Sequence, residues 1–383
     1  MNTENQSDAD GAGNNATVAL DDATLATLNR NQALQLSPEQ RMRWFYLRQI
    51  NHSELTRVAR ELDELLDPNN DTKIIAIIGP TGIGKTTLAT NILTKLVGRF
   101  TAQRQPHEVP VVYVSAPANG DKSMSWKTLY RRIQTAAGEQ HIDLQRQTQV
   151  SEGEMHAVRG ERVSLAHMRE TLEAVIRQRN VRVIVIDEAL HLLRFDQNAA
   201  IMDTLKSLAD IHHTKLVLIG TYQISPLMIE YGQLARRSAI LHYRRYKNPP
   251  KSTLQKSKPL EPTDGQANFK EAVAKLQLQW PCVDVPQLED IWEALMDASL
   301  GSVGLLKSQL LQLASLQMRQ KGEKFDAKDL RRAVKPPRQL RMIEAETLAG
   351  EQDLIGACYG DADFGSEEVM KELLARVKGT GRG

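Results

Sequence analysis

The stretch IIAIIGPTGIGKTTLATNIL, residues 74–93, constrains the fold more than any other part of the chain. Its first five residues form a short apolar run, typical of a strand covered on both faces of a parallel sheet. The spacing G-x-x-x-x-G-K-T follows, and then a segment with helical character. Glycines let backbone N–H groups close around phosphate oxygens, and the positive end of the following helix points at the same anion. Because strand, loop and helix occur in this order, the sequence predicts a site for nucleotide phosphates.

The cofactors predicted for this loop are ATP and Mg²⁺. Lys85 is expected to reach the terminal phosphates, and the Thr86 hydroxyl is expected to bind Mg²⁺. The other predicted nucleotide contacts come from the same loop: Gly79, Pro80, Thr81, Gly82, Ile83, Gly84 and Thr87. The alternative is a glycine-rich turn that binds nothing, and the order of strand, loop and helix favours the nucleotide site over it.

A second apolar run ends in two carboxylates. Val181 to Ile186 is apolar apart from Arg182, and Asp187 and Glu188 follow it directly. After a phosphate-binding loop, such a pair is typical of one carboxylate that holds Mg²⁺ and one that orients the attacking water. We therefore predict Asp187 as a metal ligand and Glu188 as the residue that polarises the nucleophile. A solvated strand end is the alternative.

A third apolar run, Lys215 to Ile219, leads into a Gly-Thr-Tyr-Gln sequence. Ligands of open α/β sheets bind beyond the carboxyl ends of the strands, so a polar residue there can reach the γ-phosphate or the lytic water. Thr221 is the candidate for this role, with Gln223 behind it. A plain helix cap by Thr221 is the alternative.

Composition favours a soluble, cytoplasmic chain. Cys282 and Cys358 have no metal or redox spacing, which suits a reducing compartment. No apolar run approaches the length that spans a bilayer, and the N-terminus has no signal-peptide pattern, so no membrane partner is expected. Residues 1–29 hold five acids and no Lys or Arg, so the net charge of +2 leaves +7 for the remainder. That basicity permits nucleic acid as a partner without demonstrating it.

Shifts in composition and periodicity predict an α/β core with a small all-helical domain after it. Two further strands, Val109 to Pro117 and Ile240 to Tyr246, complete a parallel five-stranded sheet. The tail carries an amphipathic segment, SEEVMKELLARVK, which suggests partner docking or a solvated terminal helix. The predicted segments are a disordered acidic N-terminus (1–35), a helical extension (36–72), the α/β core (73–247), a linker (248–266), the helical lid (267–335) and the tail (336–383).

This order of core, linker and helical bundle resembles the AAA+ class of ATPases. The resemblance implies a homo-oligomeric ring or helical filament with ATP between subunits. It also implies an arginine before the last core strand that reaches the neighbour's γ-phosphate; Arg236 and Arg237 stand there, Arg237 preferred, unless they are a solvated pair. Many relatives carry a lid arginine in a G-x-x-R pattern. Here Gly301, Gly304 and Lys307 occur without one, so lid sensing is weakened, absent or done by Lys307, and slow hydrolysis that switches assembly is expected.

Within that class, several motifs resemble the transposition regulators TnsC, TniB and MuB. They are IGPTGIGKTT, VIVIDEALHLL, LVLIGTYQ, QLARRS and the lid run ASLGSVGLLKSQLLQLASLQMRQKGEKFDAKDLRRA. The resemblance spans roughly residues 40 to 335 and implies an ATP-dependent oligomer that coats or encircles double-stranded DNA. It implies two further partners, a DDE transposase of the TnsB-like kind and a TniQ-like target-selection protein or an RNA-guided complex.

The same resemblance places DNA contacts on basic residues after the second strand. Such residues would contact phosphates with little base reading. The candidates are Lys122, Lys127, Arg131 and Arg132. A solvated basic helix face is the alternative.

Three other functions stay open. The first is a protein-directed AAA+ ATPase of the ExeA or chaperone type, which predicts membrane or peptidoglycan-binding appendages. The second is an initiator or helicase loader, which usually adds a winged-helix domain after the lid. The third is a signalling NTPase without DNA binding.

Overall fold

The computed structural model describes most of the 383-residue chain. The residues described are 20–101, 105–118, 125–138, 148–151, 154–157, 164–192, 198–211, 214–225, 228, 237–247, 264–320 and 323–359.

The chain divides into two compact units, each assembled from three segments. The helical unit comprises Met1–Ile50, Val273–Ile291 and Lys307–Val334. The α/β unit comprises Asn51–Ala272, Trp292–Leu306 and Lys335–Gly383. The predicted N-terminal extension, 36–72, therefore divides between the two units.

The α/β unit is built on a parallel five-stranded sheet in the order β2-β5-β6-β1-β7. β1, β5 and β6 are buried along their whole length, which explains their continuous apolar sequences. A separate antiparallel hairpin, β3–β4, has no counterpart in the sequence-based prediction. The seven strands are β1 (Ile74–Ile78), β2 (Val111–Ser115), β3 (Thr148–Ser151), β4 (Glu154–Ala157), β5 (Val183–Asp187), β6 (Lys215–Gly220) and β7 (Ser238–His242).

The predicted fifth strand, Ile240 to Tyr246, is shifted along the chain. The strand pairs with β1 from Ser238 to His242, opposite Ile74 to Ile78. It stops there because β1 ends at the glycine loop and offers no further parallel partner. The residues beyond His242 instead form an irregular segment, Tyr243–Lys247.

Helices cover both faces of the sheet. On one face, Leu55, Val58 and Leu62 of α4 share a core with β1 and α5. On the other face, α6, α7 and α8 pack over β2, β5 and β6. The helices of these two layers are α4 (Ser53–Leu65), α5 (Lys85–Thr101), α6 (Trp126–Ala136), α7 (Leu165–Gln178) and α8 (Asn198–Ala209).

The helical unit contains ordered structure inside the segment predicted to be disordered. Asp21 and Asn29 cap two short helices, and Leu25 and Ala33 are buried, so the helices are held by caps and by apolar contacts. Its N-terminal helices are α1 (Asp22–Thr27), α2 (Arg30–Ala33) and α3 (Pro38–Leu47).

After residue 263, residues 273–291 and 307–334 belong to the helical unit, and residues 264–272 and 292–306 belong to the α/β unit. Trp280 is fully buried; its ring meets Phe45 edge-on at 5.6 Å, and its Nε1 donates to Gln317 over 2.8 Å. Arg41 forms an ion pair with Glu323 in the same unit. The helices of this part of the chain are α9 (Asp264–Gln277), α10 (Trp292–Ala298), α11 (Val303–Met318) and α12 (Ala327–Ala333).

A long C-terminal helix, α13 (Pro337–Tyr359), occupies the first half of what the sequence predicts to be a tail. Thr347, Gly350, Glu351 and Leu354 lie on one face and are buried against the α/β unit. The predicted docking segment SEEVMKELLARVK lies outside the described residues. Across the described part of the chain, no helix combines the length and apolarity needed to traverse a bilayer.

Candidate functional site

The glycine loop connects β1 to α5 as the sequence predicts. Gly82 and Gly84 have φ of +78° and +105°, which glycine adopts without strain. At Gly79 a Cβ atom would lie 2.5 Å from the carbonyl oxygen of Tyr243, so only glycine fits. Of the remaining predicted contacts in the loop, Pro80 and Ile83 are buried, whereas Thr81, Thr86 and Thr87 are exposed.

Lys85 folds back onto its own loop. Its ammonium donates to the carbonyl oxygens of Gly79 over 2.9 Å and Pro80 over 2.8 Å. Burial lowers the pKa of Lys85 to about 8, an effect that the negative charges of Asp187 and Glu346 oppose. The ammonium therefore lies at the loop. A phosphate group there would give it stronger, charge-assisted hydrogen bonds than the carbonyl oxygens do.

Asp187 is the centre of a hydrogen-bonded group at the carboxyl end of β5. Its Oδ2 accepts a 2.7 Å bond from the Tyr113 hydroxyl and a 3.3 Å bond from Thr86 Oγ1, and its Oδ1 accepts from the Glu188 N–H over 2.7 Å. The carboxylate is buried, so these donors stabilise its charge.

This arrangement fits Mg²⁺ bound together with nucleotide phosphates. Thr86 and Asp187 bring a hydroxyl and a carboxylate together, and oxygen ligands of this kind suit Mg²⁺. Within the described residues no group of three or more His, Cys, Asp or Glu side chains could hold a metal. A magnesium ion whose other ligands are phosphate oxygens and water needs no such group.

Glu188 follows the strand in an unusual backbone conformation. Its φ is +54°, in the left-handed region that residues other than glycine rarely adopt. The side chain is 63% exposed, and Oε2 lies 3.7 Å from Nε2 of His191. Strained backbone is found at functional sites, and here it turns a carboxylate outward beside Asp187.

Thr221 lies at the carboxyl end of β6, next to β1. It precedes a short 3₁₀ helix, but its side chain forms no capping hydrogen bond. Among the described residues, its Oγ1 is buried and has no hydrogen-bond partner. An orphaned hydroxyl at this position favours ligand contact over the capping alternative. Gln223 is exposed.

Of the two arginine candidates, Arg236 lies outside the described residues. Arg237 is described, directly before β7. Its side chain is 61% exposed, with Nη1 3.9 Å from Asp210 Oδ1. A surface ion pair of this length contributes little, so the guanidinium is free to take another partner.

Lys307 belongs to the helical unit. Its ammonium donates to the carbonyl oxygens of Phe45 over 2.6 Å and Arg48 over 3.2 Å, at the carboxyl end of α3, and sits 3.9 Å from the Phe45 ring centroid. All of these partners belong to the helical unit. Lys307 therefore caps the carboxyl end of α3 in this structure, and its contact with the nucleotide stays a prediction.

The predicted DNA-contact residues have mixed surroundings. Lys122 lies outside the described residues. Lys127, Arg131 and Arg132 are exposed on α6. Arg132 donates to the carbonyl oxygen of Ser115, at the end of β2, over 2.7 Å, and Lys127 and Arg131 also have partners. α6 thus presents positive charge at its surface, and each of these three cations also has a partner within the protein.

Sequence reasoning missed Tyr113 and α13. Tyr113 lies within the predicted second strand, where an aromatic residue is expected to pack in the core. Only the tertiary structure brings its hydroxyl to Asp187. For α13, the spacing of Thr347, Gly350 and Leu354 is a helical signal that could have been found. Glu346 on this helix is close enough to influence the charge of Lys85.

The parallel sheet, its strand order and the loop between β1 and α5 define an AAA+ P-loop fold. Residues 69–228 match the family model described as an AAA domain, which covers less than half of the chain.

Solved structures with a similar fold include proteins of DNA replication. The Aeropyrum pernix ORC2 protein is 16% identical, with a TM-score of 0.48, and the match covers 73% of this chain and 66% of that one. The Aeropyrum pernix ORC1 protein in complex with DNA is 16% identical at a TM-score of 0.49, covering 75% and 66%. Domain III of Thermotoga maritima DnaA is 14% identical at 0.42, covering 75% and 95%. These matches concern the fold alone. The search of curated proteins found no match.

Proposed function

We propose that this chain is an ATP-hydrolysing AAA+ regulator that assembles on double-stranded DNA and directs DNA transposition. The observation that carries the ATPase part is the convergence at one sheet edge of Lys85, Thr86, Asp187 and the unpartnered Thr221 hydroxyl. These are the groups that phosphoryl transfer needs for binding phosphates, holding a metal and sensing the terminal phosphate.

Each residue of the site has a role that follows from its position. Lys85 exchanges its loop carbonyls for phosphate oxygens, which neutralises charge at the terminal phosphates. Thr86 and Asp187 would hold Mg²⁺, which supplies Lewis-acid stabilisation of phosphate charge when bound. Glu188 orients the attacking water from an exposed position, and the Thr221 hydroxyl donates to the γ-phosphate or that water. Tyr113 keeps the Asp187 carboxylate in place.

Assembly and DNA binding complete the proposal. Arg237, or Arg236 beside it, reaches the γ-phosphate of a neighbouring subunit in a ring or filament, so ATP is shared between protomers. Lys122, Lys127, Arg131 and Arg132 contact DNA phosphates. With no arginine in the G-x-x-R pattern of the lid, hydrolysis is slow, and ATP acts mainly as a switch for assembly.

The transposition role rests on the resemblance to TnsC, TniB and MuB. Under it, the assembled protein recruits a TnsB-like transposase and receives target information from a TniQ-like protein. The solved structures reported above include replication initiators and no transposition protein, so an initiator or helicase-loader role is the second candidate. Both share the nucleotide-dependent assembly on DNA that the first experiment addresses.

Electron microscopy of negatively stained samples tests the shared step. Purified protein is mixed with short duplex DNA and ATP, a non-hydrolysable analogue, or no nucleotide. We expect rings or filaments on DNA only with ATP or the analogue, and none with Lys85→Ala. Lys95→Ala is the matched control, because Lys95 is an exposed lysine on the same helix, α5. Hydrolysis of ATP without assembly on DNA would refute the proposal in favour of a protein-directed or signalling ATPase.

A second experiment separates the two candidates. A DDE transposase with its transposon ends, or a replicative helicase, is added to the assemblies on DNA. Stimulated strand transfer into the coated DNA supports the transposition role. Helicase loading without stimulated strand transfer supports the initiator or loader role.

A further inference from the structure

The turn Gly301–Gly304, which precedes and opens α11, lies directly against the phosphate-binding loop. Both belong to the α/β unit. Ser302 is buried, and its Oγ donates a 2.9 Å hydrogen bond to the carbonyl oxygen of Gly82. The same Oγ accepts from the Leu305 N–H over 3.3 Å. One hydroxyl therefore caps α11 and holds the loop at once.

At Gly304, the backbone of the turn lies closer to the backbone of the phosphate-binding loop than any residue with a side chain would allow. A Cβ atom there would lie 2.1 Å from the Gly82 oxygen and 2.9 Å from the Gly84 nitrogen. Both contacts are with backbone atoms, which cannot rotate away as a side-chain end can. A side chain at position 304, three residues after Gly301, has no room there because the backbone of the phosphate-binding loop fills the space.

The turn is held rigidly on its other side. Gly301 has φ of +70°, and a Cβ atom there would lie 1.8 Å from the Tyr246 carbonyl oxygen. The Gly301 carbonyl accepts from the Tyr246 N–H over 3.0 Å. Since the turn is fixed by the segment after β7, its contact with the loop is a defined one.

The bond from Ser302 acts on a peptide group of the loop that is held at both ends. The Gly82 carbonyl accepts from Ser302, and the N–H of the same peptide, on Ile83, donates to the Pro80 oxygen over 3.3 Å. Because this peptide is bonded on both sides, it fixes the backbone between Gly82 and Gly84, which is part of the loop that closes around phosphate.

We propose that Ser302 and Gly304 are positioning residues of the nucleotide site, which hold the phosphate-binding loop in its binding arrangement through its backbone. The inference rests on the proposed ATP binding. In this proposal the turn Gly301–Gly304 contacts the phosphate-binding loop and does not contact the nucleotide. The loop binds phosphates both before and during hydrolysis. Loss of the contact that holds the loop should therefore raise KM and leave kcat nearly unchanged.

The test measures the affinity of the full chain for a fluorescent ATP analogue and for ADP, with the kinetics of ATP hydrolysis. Ser302→Ala should raise both dissociation constants and KM by about 2- to 10-fold, the effect of one net hydrogen bond. Gly304→Ala should raise them by about tenfold or more, because the loop or the turn must move. Hydrogen exchange of residues 79–88 should be faster in both variants.

Ser299→Ala is the matched control. Ser299 is buried in the same segment, and its hydroxyl donates to the Met296 carbonyl over 3.3 Å, so its loss removes a similar bond without touching the loop. It should leave affinity within about twofold of wild type. A folded Ser302→Ala variant with wild-type affinity and exchange would overturn the inference, whatever Gly304→Ala does. Failure of the unmodified chain to bind ATP would instead refute the proposed function.

Discussion

The hydroxyl of Tyr113 lies 2.7 Å from Oδ2 of Asp187 and donates a hydrogen bond to it. The two residues come from neighbouring strands, β2 and β5, which place their side chains on the same face of the sheet. The carboxylate that the sequence assigns to Mg²⁺ is thus oriented by a residue that carries no metal-binding signal of its own.

Tyr113→Phe removes this orienting bond and little else. We expect the Mg²⁺ concentration for half-maximal ATP hydrolysis to rise by about tenfold, because groups that orient a metal ligand contribute that much to affinity. The measurement is a magnesium titration of the ATPase rate. Tyr46→Phe, at an exposed tyrosine of the helical unit, is the control. An unchanged magnesium requirement would show that the bond does not position Asp187.

Thr221→Ala tests the unpartnered hydroxyl. Since Oγ1 has no hydrogen-bond partner among the described residues, its removal should leave thermal stability unchanged. If the hydroxyl contacts the γ-phosphate or the water in the transition state, kcat should fall by about 10²-fold while KM changes little. Thr221→Ser, which keeps a hydroxyl, should recover most of the rate. Equal rates for the two variants would contradict this role.

Glu351→Gln weakens the attachment of α13. The carboxylate is 4% exposed and lies 3.0 Å from both Arg245 Nε and Lys247 Nζ. Burial opposes its ionisation, but the hydrogen bonds and positive charges of Arg245 and Lys247 together outweigh that effect and lower the pKa of Glu351. Loss of the charge should destabilise the helix by about 1–3 kcal/mol, measured by hydrogen exchange across residues 337–359. Asp353→Asn, exposed on the same helix, should exchange like wild type.

Protonation of His242 makes the free energy of unfolding depend on pH. Burial, with Arg244 nearby, lowers the pKa of His242 from 6.5 to about 4, and its Nε2 lies 3.0 Å from the Tyr222 hydroxyl. Because the folded pKa is the lower one, the unfolded chain binds the extra proton first. The contribution of His242 is complete above pH 6.5 and declines as the pH falls to 4, by at most about 1.4 kcal/mol per pH unit.

Urea denaturation between pH 4 and 7 measures this dependence. His242→Gln should flatten the pH profile of the free energy of unfolding in that window. His167→Gln, which changes an exposed histidine on α7, should leave the slope intact. Parallel profiles for His242→Gln and wild type would rule out His242 as the source.

Much of the nucleotide site could be predicted because its requirements are local. The loop after β1 needs glycines at positive φ and a lysine at a set spacing, and these requirements are written within eight consecutive residues. Asp187 follows from a continuous apolar run that can only be a buried strand. The partners of Lys307 could not be predicted, because spacing along α11 cannot show which neighbour its side chain meets.

The sequence by itself determined the AAA+ core, its phosphate-binding loop and the carboxylates beside it, since backbone conformation and strand burial leave periodic, short-range patterns. Only the tertiary structure decided what supports them. Tyr113 is 74 residues from Asp187, Arg245 is 106 from Glu351, and Ser302 is 220 from Gly82. Contacts between such distant segments depend on how whole elements pack, and no local propensity encodes which side chains packing brings together.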